Sequence, residues 1–148
     1  MLTRRLFIHA AGAALLIGAL PGARAQLARV VTVYKSPACG CCGDWVKHMQ
    51  SNGFQIDVRE VGDVMPIKRR YGVPENLMSC HTAVVSGYAI EGHVPAADIK
   101  RLLRERPKLK GLAVPGMVPG SPGMEQGPPQ RYATIAFDAR GYRVYEQH

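Results

Sequence analysis

All four cysteines of this chain sit in two places: Cys39-Gly40-Cys41-Cys42, and Cys80 with His81 directly after it. Whether those two places meet is the first question that any fold for this chain must answer. Three thiols in four residues exceed what a single redox disulfide needs. A fourth thiol paired with an imidazole has the makings of the other half of a site. Sulfur and imidazole together point to a soft or borderline metal ion, with Cu(I) and Zn(II) the leading candidates.

Chain geometry limits how these thiols can pair. Cys41 and Cys42 are neighbours, so their Cα atoms lie ~3.8 Å apart across a trans peptide, whereas disulfides usually span ~4.4–6.8 Å. A bridge there, or between Cys39 and Cys41, would be strained. Cys39–Cys42 is the easy pairing within the motif. It leaves Cys41 and Cys80 unpaired, or paired with each other across the site.

The surroundings of the motif read as alternating strands and helices. Arg29 to Tyr34 is short, apolar and β-branched, which predicts a buried strand. A helix is expected from about Cys42 to Ser51, with Cys42, Trp45, Val46 and Met49 on one apolar face and Gly53 as a left-handed residue just past its end. Phe54 to Val61 alternates as a second strand. Asp63 begins a short helix to Tyr71. His81 to Val85 and Ala89 to Gly92 form two strands around a Ser86-Gly87-Tyr88 turn. A helix opens at Pro95 and runs to about Arg106. Gly111 to Pro129 reads as a long Pro/Gly/Met loop of the kind that tends to be functional. Residues from Tyr132 to Tyr145 read as a hairpin around Asp138-Ala139-Arg140-Gly141.

This order predicts an α/β domain with a central mixed sheet flanked by helices, a Pro/Gly/Met loop and a C-terminal β-hairpin. It is similar to the thioredoxin fold, in which a Cys-x-x-Cys opens the first helix. Cys39 and Cys42 have that spacing. Cys41 inside the motif, and Cys80-His81 where thioredoxins carry a cis-proline, are departures from it.

The N-terminus reads as an address. Arg4-Arg5 precede an Ala/Gly/Leu-rich stretch that is broken at Pro21-Gly22 and followed by Ala23-Arg24-Ala25, an A-x-A cleavage pattern. Residues 1–25 are therefore expected to be an export signal. The paired arginines resemble a twin-arginine signal, with an ordinary secretory signal as the alternative. The apolar run is too short to span a bilayer, so the mature chain, 26–148, is expected to be one domain working in a periplasm and not spanning a membrane. Loss of Arg4, Arg5 and Arg24 lowers the formal net charge from +8 to +5. The remaining basic clusters, Lys68-Arg69-Arg70 and Arg101 to Lys110, read as solvated helix faces, and no nucleic-acid partner is expected.

At a helix start, backbone N–H groups and the helix dipole favour thiolate, the form that binds metal and also the form that attacks disulfides. Cysteine count separates those uses. A redox catalyst needs two thiols, whereas four converging thiolates repel unless cations neutralise them. Thiolate can bridge two Cu(I) ions, so a compact multinuclear copper site is the natural solution. Five of the six methionines lie beyond the signal, and thioether ligates Cu(I) better than Zn(II). Met117 and Met124, in the repeated Pro-Gly-Met, are candidate ligands, with loop packing as the plain alternative. His48 either reaches a second metal or pairs with Asp44. Met49, Met65 and Trp45 read as core, and His93 as a residue that orders the turn before Pro95, outside the site.

Four linked motifs then match a known group. Cys-Gly-Cys-Cys-Gly-Asp-Trp-Val-Lys-His, Ser-Cys-His-Thr-Ala, Gly-Tyr-Ala-Ile-Glu-Gly-His-Val-Pro-Ala and Gly-Leu-Ala-Val-Pro-Gly-Met…Gly-Ser-Pro-Gly-Met-Glu resemble the CopG-type periplasmic copper-resistance proteins across nearly all of 26–148. The resemblance implies a thioredoxin-like fold, a cysteine-bridged copper cluster, and a role in periplasmic copper handling alongside other copper-handling proteins, with Cu(I)/Cu(II) interconversion within reach. It carries over to Cys39, Cys41, Cys42, Cys80 and His81, and more weakly to His48, Met117 and Met124. Two rival readings stand beside it: a thiol–disulfide oxidoreductase using Cys39 and Cys42, and a structural zinc site of three cysteines and one histidine.

Overall fold

The computed structural model describes residues 30–148. The expected export signal, 1–25, lies outside the described residues. Seven strands form one mixed sheet: β1 (Val30–Lys35), β2 (Gln55–Glu60), β3 (Thr82–Val85), β4 (Tyr88–Gly92), β5 (Gly111–Val114), β6 (Ala133–Asp138) and β7 (Gly141–Gln147). Their order is β2-β1-β3-β4-β5-β6-β7. β1 runs parallel to β2 and β4 parallel to β5, and the other pairs are antiparallel.

Two helices cover one face of the sheet, α1 (Gly40–Ser51) and α3 (Ala96–Glu105). The expected apolar face of α1 is the buried one, with Cys42, Trp45 and Met49 fully out of solvent. It packs with Ile99 and Leu102 of α3 on Val31, Val33, Ile90 and Leu112 of the sheet. Each such fully buried aliphatic side chain contributes about 1.5–3 kcal/mol. The opposite face is covered by α2 (Met65–Arg70) and the 3-10 turn Glu75–Leu77, where Val73 and Leu77 meet Ala89, Ala113 and Phe137. Alternate residues of one strand thus serve two cores: Ile90 faces α1 and α3, while Ala89 and Glu91 face α2.

Local signals in the sequence set the element ends. Gly53 adopts φ +86° just after α1. The Asp63 carboxylate accepts the Met65 N–H, 2.8 Å, at the start of α2. α1 begins at Gly40, two residues earlier than the apolar pattern indicated, because Cys39 takes the extended backbone of an N-cap residue.

Two expectations are corrected. The stretch from Gly111 is not all loop: Gly111–Val114 is β5, fully buried between β4 and β6. A parallel strand covered on both faces shows no polar alternation, and Gly111 is there because a Cβ would collide with the Ala89 carbonyl oxygen. Lys68 is not on a solvated face. It is 2% exposed, and its ammonium pairs with the fully buried Glu91 carboxylate and donates to Thr82 Oγ1, 3.1 Å. Glu91 also accepts the Ser79 N–H, 2.6 Å, and the Thr82 hydroxyl, 2.7 Å. Burial pushes the Glu91 carboxyl up, and Lys68 with these donors pulls it back.

The pairings bring four chain segments to one end of the sheet. α1 starts after the C-terminal end of β1. Cys80-His81 precedes β3, whose Thr82 pairs with Tyr34 of β1 and with Glu91 of β4. His93 follows β4, and the loop carrying Met117 follows β5, whose Val114 is opposite Gly92.

Candidate metal centre

The two cysteine clusters meet at that end of the sheet. The Sγ atoms of Cys39, Cys41, Cys42 and Cys80 all lie within 4.8 Å of one another. Cys39 and Cys42 are joined as a disulfide with Cα atoms 5.4 Å apart, the pairing that chain geometry favours, and Cys41 and Cys80 are free thiols. Joined in this way, Cys39 and Cys42 cannot act as thiolate donors; the four-sulfur set belongs to the reduced chain. Cys41 Sγ is 3.6 Å from Cys39 Sγ and 3.8 Å from the thioether sulfur of Met117. Met117 itself is 55% exposed, so one side of the sulfur cluster opens to solvent.

Cys80 also belongs to a second group of donors. His81 Nδ1 lies 3.5 Å from its sulfur and His93 Nε2 3.2 Å. Cys80, His81 and His93 fall within the same 4.8 Å limit. His93 is fully buried, and its Nδ1 is 2.7 Å from the Pro122 carbonyl oxygen. A carbonyl only accepts, so Nδ1 carries the proton. In the neutral ring Nε2 then presents a lone pair to Cys80, whose thiol donates to it. His81 is fully buried against Trp45, ring centroids 4.5 Å apart, and its Nε2 has no hydrogen-bond partner among the described residues. Trp45 is fixed in turn by its Nε1–H, which donates to the Val94 carbonyl at 2.9 Å.

Burial dominates the electrostatics. It pushes the Cys80 thiol up to about 11, with the neighbouring Cys41 adding to the effect. It holds His81 well below the usual imidazole range, helped by His93, Lys68 and Lys35. It lowers His93 too, against the Pro122 carbonyl and Glu125. Both imidazoles are neutral at pH 7, the form that ligates a metal. Cys80 keeps its proton until a cation displaces it.

The Pro/Gly/Met loop is fastened over this end of the sheet. Ser79 Oγ donates to the Gly116 carbonyl, 2.6 Å. Gly123, at φ +85°, lies so close to α1 that a Cβ would sit 2.7 Å from Trp45 N and 3.0 Å from Cys41 O.

The structure does not bring every sequence candidate to the centre. His48 accepts the Ala96 N–H on Nε2, 3.1 Å, at the start of α3, and is absent from both donor groups. Its alternative partner Asp44 pairs with Lys47. Met124 serves through its backbone, accepting the Gly120 N–H at 2.7 Å and donating to the Ser121 carbonyl at 2.8 Å. His93, read from the sequence as a turn residue outside the site, lies beside Cys80 in the second donor group. Its signal was present. Counting outward from the Ser86-Gly87 turn, the register that sets Thr82 opposite Glu91 sets Cys80 opposite His93.

Residues 77–124 match the family model described as a protein of unknown function, DUF411. That segment holds Cys80, His81, His93, Met117 and Met124. No curated protein matches the chain. Two solved structures do. One, titled copper resistance protein copG, form 2, is 44% identical, with a TM-score of 0.77 over 81% of this chain and 98% of that one. The other, form 1 of the same protein, is 45% identical, with a TM-score of 0.76 over 80% of this chain and 96% of that one. This chain belongs to the CopG copper-resistance family. The resemblance read from the four motifs is thus shown, and the sulfur cluster of this family member is a donor set suited to copper.

Proposed function

We propose that this CopG-family protein is an exported, periplasmic copper-binding protein whose reduced form gathers more than one Cu(I) ion in a cysteine-bridged site, in the service of copper resistance. One observation carries the reading: four sulfurs from two distant segments lie within 4.8 Å of one another. Four thiolates that close need compensating cations, and Cu(I) ions bridged by thiolate supply them. His81 is the terminal nitrogen, and Met117 closes the exposed side. The leader-like residues 1–25 support export. No helix among the described residues is long and apolar enough to cross a membrane. The order β2-β1-β3-β4, with the cysteine motif opening α1 after β1, supports a thioredoxin-like core.

The same residues support copper interconversion. Oxidation of the Cys39 and Cys42 thiolates to their disulfide releases two electrons, and two Cu(II) ions take them up to become Cu(I). An oxidising periplasm acts on the same two thiols, so copper competes with disulfide formation there. The Cys39–Cys42 disulfide also favours a second reading, a thiol–disulfide oxidoreductase.

Anaerobic titration of the fully reduced protein is expected to give more than one Cu(I) per chain. One ion or none, with all four thiols free, would overturn the copper reading. Met117→Leu is expected to weaken Cu(I) binding while changing stability by less than about 0.5 kcal/mol. A Cys41→Ser, Cys80→Ser double variant is expected to lose the multinuclear stoichiometry. Full disulfide reductase activity in that variant would favour the oxidoreductase.

A further inference from the structure

The donors around Cys80 divide into two sets with different dependence on the Cys39–Cys42 disulfide. The all-sulfur set needs Cys39 and Cys42 as thiolates. The second set, Cys80, His81 and His93, contains neither residue and is assembled while the disulfide is closed. We propose that the disulfide form holds one divalent metal ion of borderline softness, Zn(II) in type, on Cys80, His81 and His93. This site stands apart from the Cu(I) reading, because it belongs to the form in which two of the four bridging sulfurs are withdrawn.

Three observations argue for it. Spacing is the first. A tetrahedral ion with bonds of ~2.3 Å to sulfur and ~2.0–2.1 Å to nitrogen separates those donors by ~3.5 Å. The sulfur of Cys80 is 3.2 Å from His93 Nε2 and 3.5 Å from His81 Nδ1. The second is orientation. The Pro122 carbonyl at 2.7 Å from Nδ1 fixes the His93 tautomer and aims its free lone pair at Cys80, the outer arrangement that ligating histidines use. The third is His81, a fully buried imidazole whose Nε2 finds no partner among the described residues. A buried ring with an unmet nitrogen is costly. Ligation through Nε2 would meet that need directly, while ligation through Nδ1, the nitrogen 3.5 Å from the Cys80 sulfur, uses the ring's other lone pair and leaves Nε2 as an unpaired N–H. The free thiol of Cys41 lies within 4.8 Å of the Cys80 sulfur but outside the Cys80, His81 and His93 group, so the fourth position of a tetrahedral ion falls to water. Two imidazoles and thiolate suit Zn(II), whereas the all-sulfur set suits Cu(I). Opening and closing one disulfide therefore changes which metal the same Cys80 prefers.

Co(II) is the probe, added anaerobically to protein whose Cys39–Cys42 disulfide is intact and whose thiol count is two. The expected result is one Co(II) per chain, a thiolate-to-cobalt charge-transfer band in the near ultraviolet, intense tetrahedral d–d bands, and bleaching by one equivalent of Zn(II). His93→Gln keeps the bulk of the ring and an amide able to meet Pro122, and is expected to weaken Co(II) binding about tenfold or more. Cys80→Ser is expected to abolish the charge-transfer band. A Cys39→Ser, Cys42→Ser double variant is expected to keep both band and stoichiometry. The absence of a thiolate band in the disulfide form, or a band indifferent to His93→Gln, would overturn the site. If that happened while the reduced chain still took up several Cu(I) ions, this site would fail and the Cu(I) reading would stand. The opposite pair of results would retain this site alone.

Discussion

Glu91→Gln removes the carboxylate that faces the Lys68 ammonium behind the Cys80-His81 corner. Lys68 is 2% exposed and Glu91 fully buried, so water cannot take over. The hydrogen bonds can be rewired: the amide oxygen still accepts from Lys68 and from Ser79 N–H, and the Thr82 hydroxyl turns to accept from the amide nitrogen. What is lost is the compensating charge. Breaking a buried pair by removing one partner costs about 3–5 kcal/mol, because the other charge stays behind. At an effective dielectric of about 20 the Coulomb attraction of such a pair is also on the order of 5 kcal/mol. A second substitution sharpens the argument. Lys68→Met added to Glu91→Gln removes the stranded cation while keeping an unbranched side chain only one heavy atom shorter. The double variant is expected to fall within about 1–2 kcal/mol of the parent. Urea unfolding of metal-free, disulfide-intact protein reads both, as midpoint shifts at constant m. A single-variant cost below about 1 kcal/mol, or a double variant less stable than the single, would refute the reasoning.

Two further outcomes are expected. Burial holds the Cys80 pKa at about 11, above the usual thiol value, so its thiolate is scarce below that pH: roughly one part in a thousand at pH 8, against about a quarter for an ordinary cysteine. Its alkylation by iodoacetamide, followed by peptide mass spectrometry on the metal-free disulfide form, is expected to rise about tenfold per pH unit between pH 8 and 10, and a plateau by pH 9 would contradict the cause given. Gly123→Ala places a Cβ against Trp45 N and Cys41 O at φ +85°, and is expected to cost about 2–3 kcal/mol, of which ~1–2 is the left-handed backbone itself; a loss under about 0.5 kcal/mol by urea unfolding would show that the loop is not seated on α1.

The elements legible in the sequence were those whose signal is local. The 3.6-residue spacing of Cys42, Trp45, Val46 and Met49 marked the buried face of α1, and Gly53 marked its end. The β-branched run from Arg29 to Tyr34 marked β1, Val30–Lys35, and Cys-x-x-Cys marked the allowed disulfide. What escaped depends on the third dimension. β5 has four residues, begins with glycine and is buried on both faces, so neither alternation nor length set it apart from the Pro/Gly stretch that follows. Lys68 looked like its neighbours Arg69 and Arg70, which are exposed; only the Glu91 carboxylate across the sheet explains its burial. His48 and His93 stand where the sequence did not point. Spacing along α1 made His48 a candidate, yet it serves the N-terminus of α3, and strand register rather than spacing set His93 beside Cys80.

The donors arrive from the ends of β1, β3, β4 and β5, so the site is closed by residues some eighty positions after the first cysteine. Pairings of such long range form late, since the chain must close wide loops before they reward it. A nascent chain that has emerged only as far as Cys42 offers bare thiols with no imidazole and no thioether beside them. On the copper reading proposed above, selective metal capture is therefore a property of the finished molecule, and those early thiols are open to stray oxidants and wrong metals until synthesis has passed Met117.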